Sequence, residues 1–172
     1  MRDRLVFLFL GVALGILLYY IVATVFYQPL IKPIFSPGAE YEIIQLINSA
    51  EHSVYIEMYV FSSEEVLTAL LNAHKRGVTV KIILEKDVFS DENAHIYNVF
   101  QTSGIPVAWA SDQFKLTHSK FMIIDEKKVF VGSHNFSNSA LNLNREASVI
   151  ISDSSTVNSF LEVFNNDWYL AG

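Results

Sequence analysis

Apolar and polar residues follow distinct periodicities along this chain, and each periodicity predicts an element of secondary structure. Residues 39–52 carry apolar side chains at helical spacing, and SVYIEMYVF after them is typical of a buried strand. SSEEVLTALLNAHKRG begins with a serine cap and ends at Gly77, which predicts an amphipathic helix, and VTVKIILE is the next strand. A strand, a helix and a strand in this order predict a right-handed parallel crossover.

The second half of the chain continues the pattern. Residues 91–103 are predicted to form a helix that ends at Gly104, and IPVAWA a short strand. FMIID and VFVGS, with polar residues at the turn between them, predict a β-hairpin. EASVIIS is a last strand, and residues 154–168 a closing helix capped by Asp153 or Ser154. The predicted fold is an α/β domain with a mixed, mostly parallel β-sheet flanked by helices.

The block from Leu5 to Phe26 shows neither the helical nor the strand pattern of apolar and polar residues, because it holds no charged residue and scarcely a polar one. At 1.5 Å per residue, these 22 positions reach roughly 33 Å, enough to cross a hydrocarbon core of about 30 Å. A cleaved signal peptide is the alternative, but its apolar region is normally about 7–15 residues long and ends at a small-residue cleavage site. The block therefore predicts an uncleaved, single-pass transmembrane helix.

These patterns divide the chain into residues 1–27 as a membrane anchor, residues 28–38 as a proline-rich linker and residues 39–172 as the folded domain. Arg2 and Arg4 precede the span, and only Lys32 follows it closely. Positive charge favours the cytoplasmic side, so we expect the folded domain on the outer face of the cytoplasmic membrane of a prokaryote.

Composition adds two constraints. The 172 residues have a net charge of −6, which argues against a broad surface that tracks nucleic-acid phosphates. Cysteine is absent, which removes disulfides and thiolate-zinc sites and leaves the compartment open.

The hairpin region carries the candidate chemistry, in the spacing HxKx4Dx6GSxN from His118 to Asn135. His118 and Lys120 are two residues apart near a strand, so they share a face and place a titratable imidazole beside an ammonium. Ser133 and Asn135 share a face on the return segment and offer uncharged donors, while Gly132 permits close approach of the backbone. Together these groups suit a phosphoryl centre.

This spacing resembles the HKD motif of the phospholipase D superfamily, and Asn144 and Glu146 stand where that family carries a further polar and acidic element. The resemblance extends from about Pro37 to Trp168 and includes one copy of the motif. In the family two motifs meet at one site, where one histidine attacks phosphorus and the other protonates the leaving oxygen. The resemblance therefore implies a phosphodiesterase that acts as a two-fold homodimer.

The same resemblance implies roles for the individual residues. His118 forms the phosphohistidine, Lys120 and Asn135 hold the phosphoryl oxygens, and Ser133 adds a hydrogen bond. Glu146 orients the histidine ring, and Asp125 supports the loop as a further member of the catalytic set. Neither a metal nor a cofactor is expected.

The substrate stays open between two classes of phosphodiester. The single-motif architecture is similar to bacterial nonspecific endonucleases and to the mitochondrial nuclease and cardiolipin hydrolase group. On that architecture we favour cleavage of DNA or RNA, with a phospholipid such as cardiolipin as the alternative. A third possibility is a catalytically inactive, phosphate-binding membrane protein.

Three further expectations concern neighbouring side chains. His134 should point away from Ser133 and Asn135, because it lies between them in an extended segment. Glu57 lies among apolar residues, so it either finds a partner inside the domain or faces water at a sheet edge. The aromatic residues near the motif are expected in the core, with stacking on substrate as the alternative; they are Tyr59, Phe61, Phe114 and Phe136.

Overall fold

The computed structural model describes residues 2–26, 30–86 and 90–171. Its helices are α1 (Arg2–Phe26), α2 (Ala39–Asn48), α3 (Glu64–Lys75), α4 (Ser90–Thr102) and α5 (Ser154–Leu170). Its strands are β1 (Ile31–Phe35), β2 (Ser53–Met58), β3 (Thr79–Leu84), β4 (Val107–Trp109), β5 (Lys120–Ile124), β6 (Lys128–Gly132) and β7 (Ala147–Ile151). A short π-helical turn covers Ser139–Leu143.

The strands form one mixed sheet in the order β1-β7-β6-β5-β2-β3-β4. Strands β2, β3 and β4 are parallel neighbours, which confirms the predicted crossover through α3. The other four neighbouring pairs are antiparallel, so the prediction of a mostly parallel sheet is wrong. The reason is that the hairpin β5–β6 places its first strand directly beside β2, and antiparallel pairing then continues through β7 to β1.

Local sequence signals fix the ends of the helices. The Ser63 hydroxyl accepts a hydrogen bond from the Val66 amide at the start of α3, and Gly77 has a left-handed φ of 92° just after its end. The Asp153 carboxylate caps α5 by accepting from the Thr156 amide. These caps match the predicted boundaries.

Helices cover both faces of the sheet and bury two apolar clusters. The larger cluster packs α2, α3 and α4 against one face and includes Ile56, Phe61, Phe100 and Phe136, all fully buried. The smaller cluster packs α5 against the other face through Val157 and Phe164. Because β2 and β5 lie at the centre between these layers, the residues at their ends are held by packing on both sides.

The predicted linker over residues 28–38 needs a correction, because residues 31–35 form strand β1. This strand lies at the sheet edge and pairs antiparallel with β7, with Pro33 opposite Val149. An edge strand tolerates proline because one side of it needs no ladder donor. Residues 28 and 29 lie outside the described residues.

Helix α1 covers the apolar block near the N-terminus, and its side chains from Arg4 to Tyr20 are exposed. Within the part of the chain that the structure describes, no helix is both long and apolar enough to cross a membrane. The transmembrane helix predicted over Leu5–Phe26 is therefore not supported.

Candidate active site

His118 and Lys120 meet where strand β5 begins. The Lys120 ammonium lies 3.3 Å from Nδ1 and 3.2 Å from Nε2 of His118, and it donates a 2.9 Å hydrogen bond to the His118 carbonyl oxygen. Lys120 is buried, whereas His118 is exposed. The predicted pairing of an imidazole with an ammonium is thus present in the structure.

Burial lowers the pKa of Lys120, and the negative charge of Glu146 acts in the opposite direction. The ammonium therefore lies in a setting where an additional anion stabilises it. A phosphoryl group beside His118 supplies such an anion.

Tyr59 completes the surroundings of this pair. Its ring meets the His118 ring edge to face with 4.3 Å between centroids, and the Lys120 ammonium lies 4.9 Å from its centroid. The Tyr59 amide donates to the Ser119 carbonyl oxygen at 3.1 Å, which joins the end of β2 to the segment that carries His118. Tyr59 was predicted to lie in the core with the other aromatic residues near the motif. Its contact with His118 follows from the β2–β5 register, which the sequence does not reveal.

Ser133 and Glu146 lie together at the neighbouring strand ends. The Ser133 hydroxyl donates to Glu146 Oε2 at 2.5 Å and accepts from the Ala147 amide at 3.1 Å, while the Asn144 amide donates to Glu146 Oε1 at 3.2 Å. The Ser133 hydrogen bond is the main cause that lowers the pKa of Glu146. Within one chain Glu146 is thus held by Ser133 and Asn144, and its contact with the His118 ring stays a prediction.

Gly132 brings β6 very close to β7, as the sequence predicted. A Cβ atom at this position would lie 2.5 Å from both the Ala147 carbonyl oxygen and the Ser148 Cα. The register places Gly132 opposite Ser148, one residue beyond the Ala147 that Ser133 contacts. This close approach fixes the position of Ser133 relative to Glu146.

His134 and Asn135 differ in their surroundings. His134 is fully buried, and its Nδ1 lies 2.7 Å from the Ser148 hydroxyl, so it points into the domain while Ser133 is exposed. Burial lowers the pKa of His134, and the charge of Glu146 opposes this. Among the described residues, the buried Oδ1 of Asn135 has no hydrogen-bond partner. This oxygen lies inside the domain, and the contact of Asn135 with a phosphoryl oxygen stays a prediction.

Asp125 does not join these residues. It follows the far end of β5, about five residues or roughly 16 Å along the strand from Lys120. Its carboxylate accepts from the backbone amides of Glu51, His52 and Ser53. These contacts join the hairpin turn to the segment before β2, a supporting role of the kind predicted, and the membership of Asp125 in the catalytic set stays a prediction.

Residues 43–168 match the family model described as "Cardiolipin synthase, PLD-like domain". The chain belongs to the phospholipase D superfamily. This confirms the predicted family and shows that the predicted motif lies inside the matching region.

Two curated relatives are similar to most of this superfamily chain. Phospholipase D of Rickettsia prowazekii is 35% identical over 133 residues, which cover 74% of this chain and 62% of the relative. Mitochondrial cardiolipin hydrolase of Mus musculus is 31% identical over 139 residues, which cover 79% and 62%. The chain thus spans about three-fifths of the length of these relatives. Their names support the predicted phosphodiesterase class.

Two solved structures extend the comparison. Nuc from Salmonella typhimurium, described as a phospholipase D family member, superposes with a TM-score of 0.78 at 31% identity, covering 84% of this chain and 97% of Nuc. NucT from Helicobacter pylori superposes with a TM-score of 0.71 at 23% identity, covering 82% and 98%. The second likeness shows the fold alone.

A groove of about 410 Å³ opens beside the site of this phospholipase D-like domain, between the hairpin and α5. Its polar end is formed by His118 and Lys120, and its apolar side by Val131, Phe160 and Val163. An exposed imidazole at the mouth of an open groove is accessible to a phosphodiester. The arrangement therefore suits nucleophilic attack at phosphorus, with the Lys120 charge beside the phosphoryl oxygens.

Proposed function

We propose that this chain is a metal-independent phosphodiesterase in which His118 is the nucleophile. The observation that carries the proposal is the Lys120 ammonium within 3.3 Å of both ring nitrogens of His118. An imidazole nitrogen forms a bond to phosphorus while one P–O ester bond breaks, and Lys120 stabilises the charge on the phosphoryl oxygens. Water then hydrolyses the phosphohistidine and restores the free ring.

The leaving oxygen needs a proton, and the chain carries one copy of the motif. We propose that a second copy supplies it in a two-fold homodimer, with the two His118 rings facing across the axis. One ring attacks while the other, protonated, gives its proton to the leaving alcohol; it later accepts a proton from the attacking water. The open groove beside His118 supports a site that one chain leaves incomplete.

For the substrate we propose a phospholipid, with nucleic acid as the second candidate. The single-motif resemblance favoured nucleic acid over phospholipid. Carboxyl groups of Glu57, Glu146 and Asp167 lie near the histidine–lysine pair, and they oppose a polyanionic strand. The names of the curated relatives, phospholipase D and cardiolipin hydrolase, support the same order. The likeness to Nuc along almost its whole length supports the nucleic-acid candidate.

Helix α1 supports a location at a membrane. Its exposed side chains include Leu8, Leu14 and Leu18, each more than half exposed, and apolar surface of this extent is stable against lipid rather than water. We propose that α1 attaches the enzyme to a bilayer, with Arg2 and Arg4 on the cytoplasmic side. Sedimentation of the full chain with vesicles, compared with a variant carrying aspartate at these three positions, tests this; equal sedimentation of both contradicts it.

The enzymatic test uses the full chain in detergent, as wild type and as His118→Ala, with EDTA present. Substrates are phospholipid in mixed micelles, single-stranded DNA, RNA and the chromogenic diester bis(p-nitrophenyl) phosphate. We expect the wild type to cleave the diester and the lipid, and His118→Ala to lose at least about a thousandfold in rate.

The matched control is His95→Ala, which removes an exposed histidine on α4 that pairs with Glu64 at the surface. It should retain wild-type rates. If the wild type cleaves nucleic acid but not phospholipid, nucleic acid becomes the favoured substrate. Full activity of His118→Ala would remove the nucleophile assignment.

A further inference from the structure

Two backbone hydrogen bonds hold the segment that carries His118, one on each side of the histidine. The loop between β4 and β5 is neither helix nor strand, and the His118 side chain is exposed, so core packing contributes little to its position. On one side the Tyr59 amide donates to the Ser119 carbonyl oxygen at 3.1 Å. On the other side the Thr117 amide donates to Oε2 of Glu85 at 2.7 Å. The backbone is therefore held at both neighbours of the proposed nucleophile.

Glu85 is a buried residue that directly follows strand β3. It is 4% exposed, and while its Oε2 accepts from the Thr117 amide, its Oε1 accepts from the Lys86 amide at 2.9 Å. Its own amide donates to the Met58 carbonyl oxygen at 3.3 Å, where β2 ends. Burial of a carboxyl group costs free energy unless hydrogen bonds compensate it. The two amides supply this compensation, and one of them belongs to the residue before the histidine.

The Asn93 side chain on α4 joins the two supports. Asn93 is fully buried, and its Nδ2 donates to the carbonyl oxygens of Tyr59 and Glu85 at 2.8 and 2.7 Å. Its Oδ1 accepts from the Phe61 amide at 2.8 Å. One planar amide thus uses both of its N–H donors and its oxygen to fix the chain after β2 relative to the chain after β3. Tyr59 and Glu85 are the two residues that hold the backbone on either side of the histidine.

We propose that Glu85 is a positioning residue for the reaction, and that Asn93 sets the distance between Glu85 and the support at Tyr59. Glu85 acts through the Thr117 amide, which fixes the direction in which the His118 ring leaves the backbone. This inference rests on the proposed function and adds to it a carboxyl group that lies 32 residues before Thr117 and outside the motif.

The geometry of attack at phosphorus gives the expected size of the effect. A nucleophile reacts from about 3–3.5 Å with its orbital aligned, and a misplacement of about 1 Å can cost about a hundredfold in rate. Without Glu85 the Thr117 amide loses this partner, and the support at Ser119 remains. Lys120 keeps its place because it belongs to β5. Substrate binding should therefore change little, and the loss should appear in kcat rather than in KM.

The experiment measures kcat and KM on bis(p-nitrophenyl) phosphate with the full chain in detergent, well below the melting temperature. Glu85→Met keeps the length of the side chain and removes both carboxyl oxygens, whereas Glu85→Gln retains one oxygen as an acceptor. The matched control is Arg76→Gln, because the Arg76 guanidinium also joins distant segments, donating to the carbonyl oxygens of Ile47 and Asn48 at 3.3 Å. These contacts lie near the start of β2, whereas the end of β2 pairs with Lys120.

Hydrogen exchange resolved to single amides supplies a second readout, which does not depend on activity. In the wild type the Thr117 amide should exchange at least about tenfold more slowly than the amides of the exposed residues Phe114 and Lys115. Glu85→Met should remove this protection, and Arg76→Gln should keep it. An unprotected Thr117 amide in the wild type overturns the proposal even if Glu85→Met does not fold.

We expect kcat of Glu85→Met to fall by about ten- to a hundredfold with KM within about twofold, and Glu85→Gln to recover part of the loss. Arg76→Gln should keep the wild-type kcat. An unchanged kcat in folded Glu85→Met, or an equal fall in Arg76→Gln, overturns the positioning role. A wild type without activity on any phosphodiester refutes the proposed function instead, and the exchange of the Thr117 amide then still tests the support by Glu85.

Discussion

Replacing Asp125 by asparagine separates support of the fold from catalysis. The Asp125 carboxylate receives the backbone amides of Glu51, His52 and Ser53 at distances from 2.7 to 3.2 Å. These amides lie more than 70 residues earlier in the chain, so the carboxylate joins the hairpin turn to the start of β2. Asparagine keeps the size of the side chain and tolerates the φ of 53° at this position, while it removes the negative charge and replaces one of the two accepting oxygens by an NH2 group.

The magnitude follows from these contacts. A hydrogen bond to a charged group contributes about 1.5–3 kcal/mol, and an amide oxygen retains part of each bond. Because Asp125 is partly exposed, water compensates the amides that are released. We therefore expect Asp125→Asn to lower the free energy of unfolding by about 2 kcal/mol, or the melting temperature by about 4–8 °C for a domain of this size.

The charge also predicts the pH dependence of this loss. Burial raises the pKa of Asp125, but the amides of Ser53, Glu51 and His52 together lower it below its ordinary value. A carboxyl group whose pKa is depressed on folding stabilises the fold above its unfolded pKa, and this stability is lost as the pH falls through the folded pKa. The wild type and Asp125→Asn should therefore differ at pH 7 and converge in acid.

The assay combines thermal unfolding with kcat on bis(p-nitrophenyl) phosphate well below the melting temperature. The matched control is Glu126→Gln, which removes an exposed charge from the next residue of the same left-handed turn. It should change neither quantity. A fall in kcat of tenfold or more in a fully folded Asp125→Asn would support a catalytic role for this residue, and an unchanged melting temperature would show that the amide contacts contribute nothing.

Two further variants test the packing around the site. Gly132→Ala places a methyl group 2.5 Å from the backbone of Ser148, so we expect the free energy of unfolding, measured with denaturant, to fall by about 1–3 kcal/mol. Wild-type stability in this variant would show that β6 and β7 are further apart than described. Glu57→Gln tests the carboxyl group whose pKa rises from 4.5 to about 7 on folding. Between these two values the folded state retains a proton that the unfolded chain releases. Glu57 therefore contributes about 3 kcal/mol to the free energy of unfolding below pH 4.5, and this contribution is lost as the pH rises through 7. The variant should show a flatter unfolding profile across this interval, and a slope equal to that of the wild type would contradict the assigned pKa.

Local pattern predicted the parts of the fold that local physics determines. The caps at Ser63 and Asp153, the helix end at Gly77 and the two apolar runs of the hairpin each act within a few residues, and all are present. Strand β1 was not predicted, because Pro33 indicates a linker. Only its position at the sheet edge beside β7 explains why a proline is tolerated there. The π-helical turn over Ser139–Leu143 carries no signal that the sequence analysis used.

The candidate site shows the same division. The face shared by His118 and Lys120 follows from their spacing, and the structure brings them together. The approach of Tyr59 depends on the β2–β5 register, and the pairing of Glu57 with Asp167 depends on where α5 ends over the sheet. Such contacts join positions from distant parts of the chain, and no local periodicity encodes them.

Strand β1 makes the N-terminal segment a mechanical part of the enzyme. At its end the Ser36 hydroxyl accepts from the Glu146 amide and donates to the Ala140 carbonyl oxygen, so β1 is tied to the segment that carries Glu146. A version shortened to begin at Ser36 would remove this strand and expose the edge of β7, an open template for pairing with other chains. Production of the domain without residues 31–35 should therefore yield aggregates, and a displacement of β1 should be transmitted to Glu146 through Ser36.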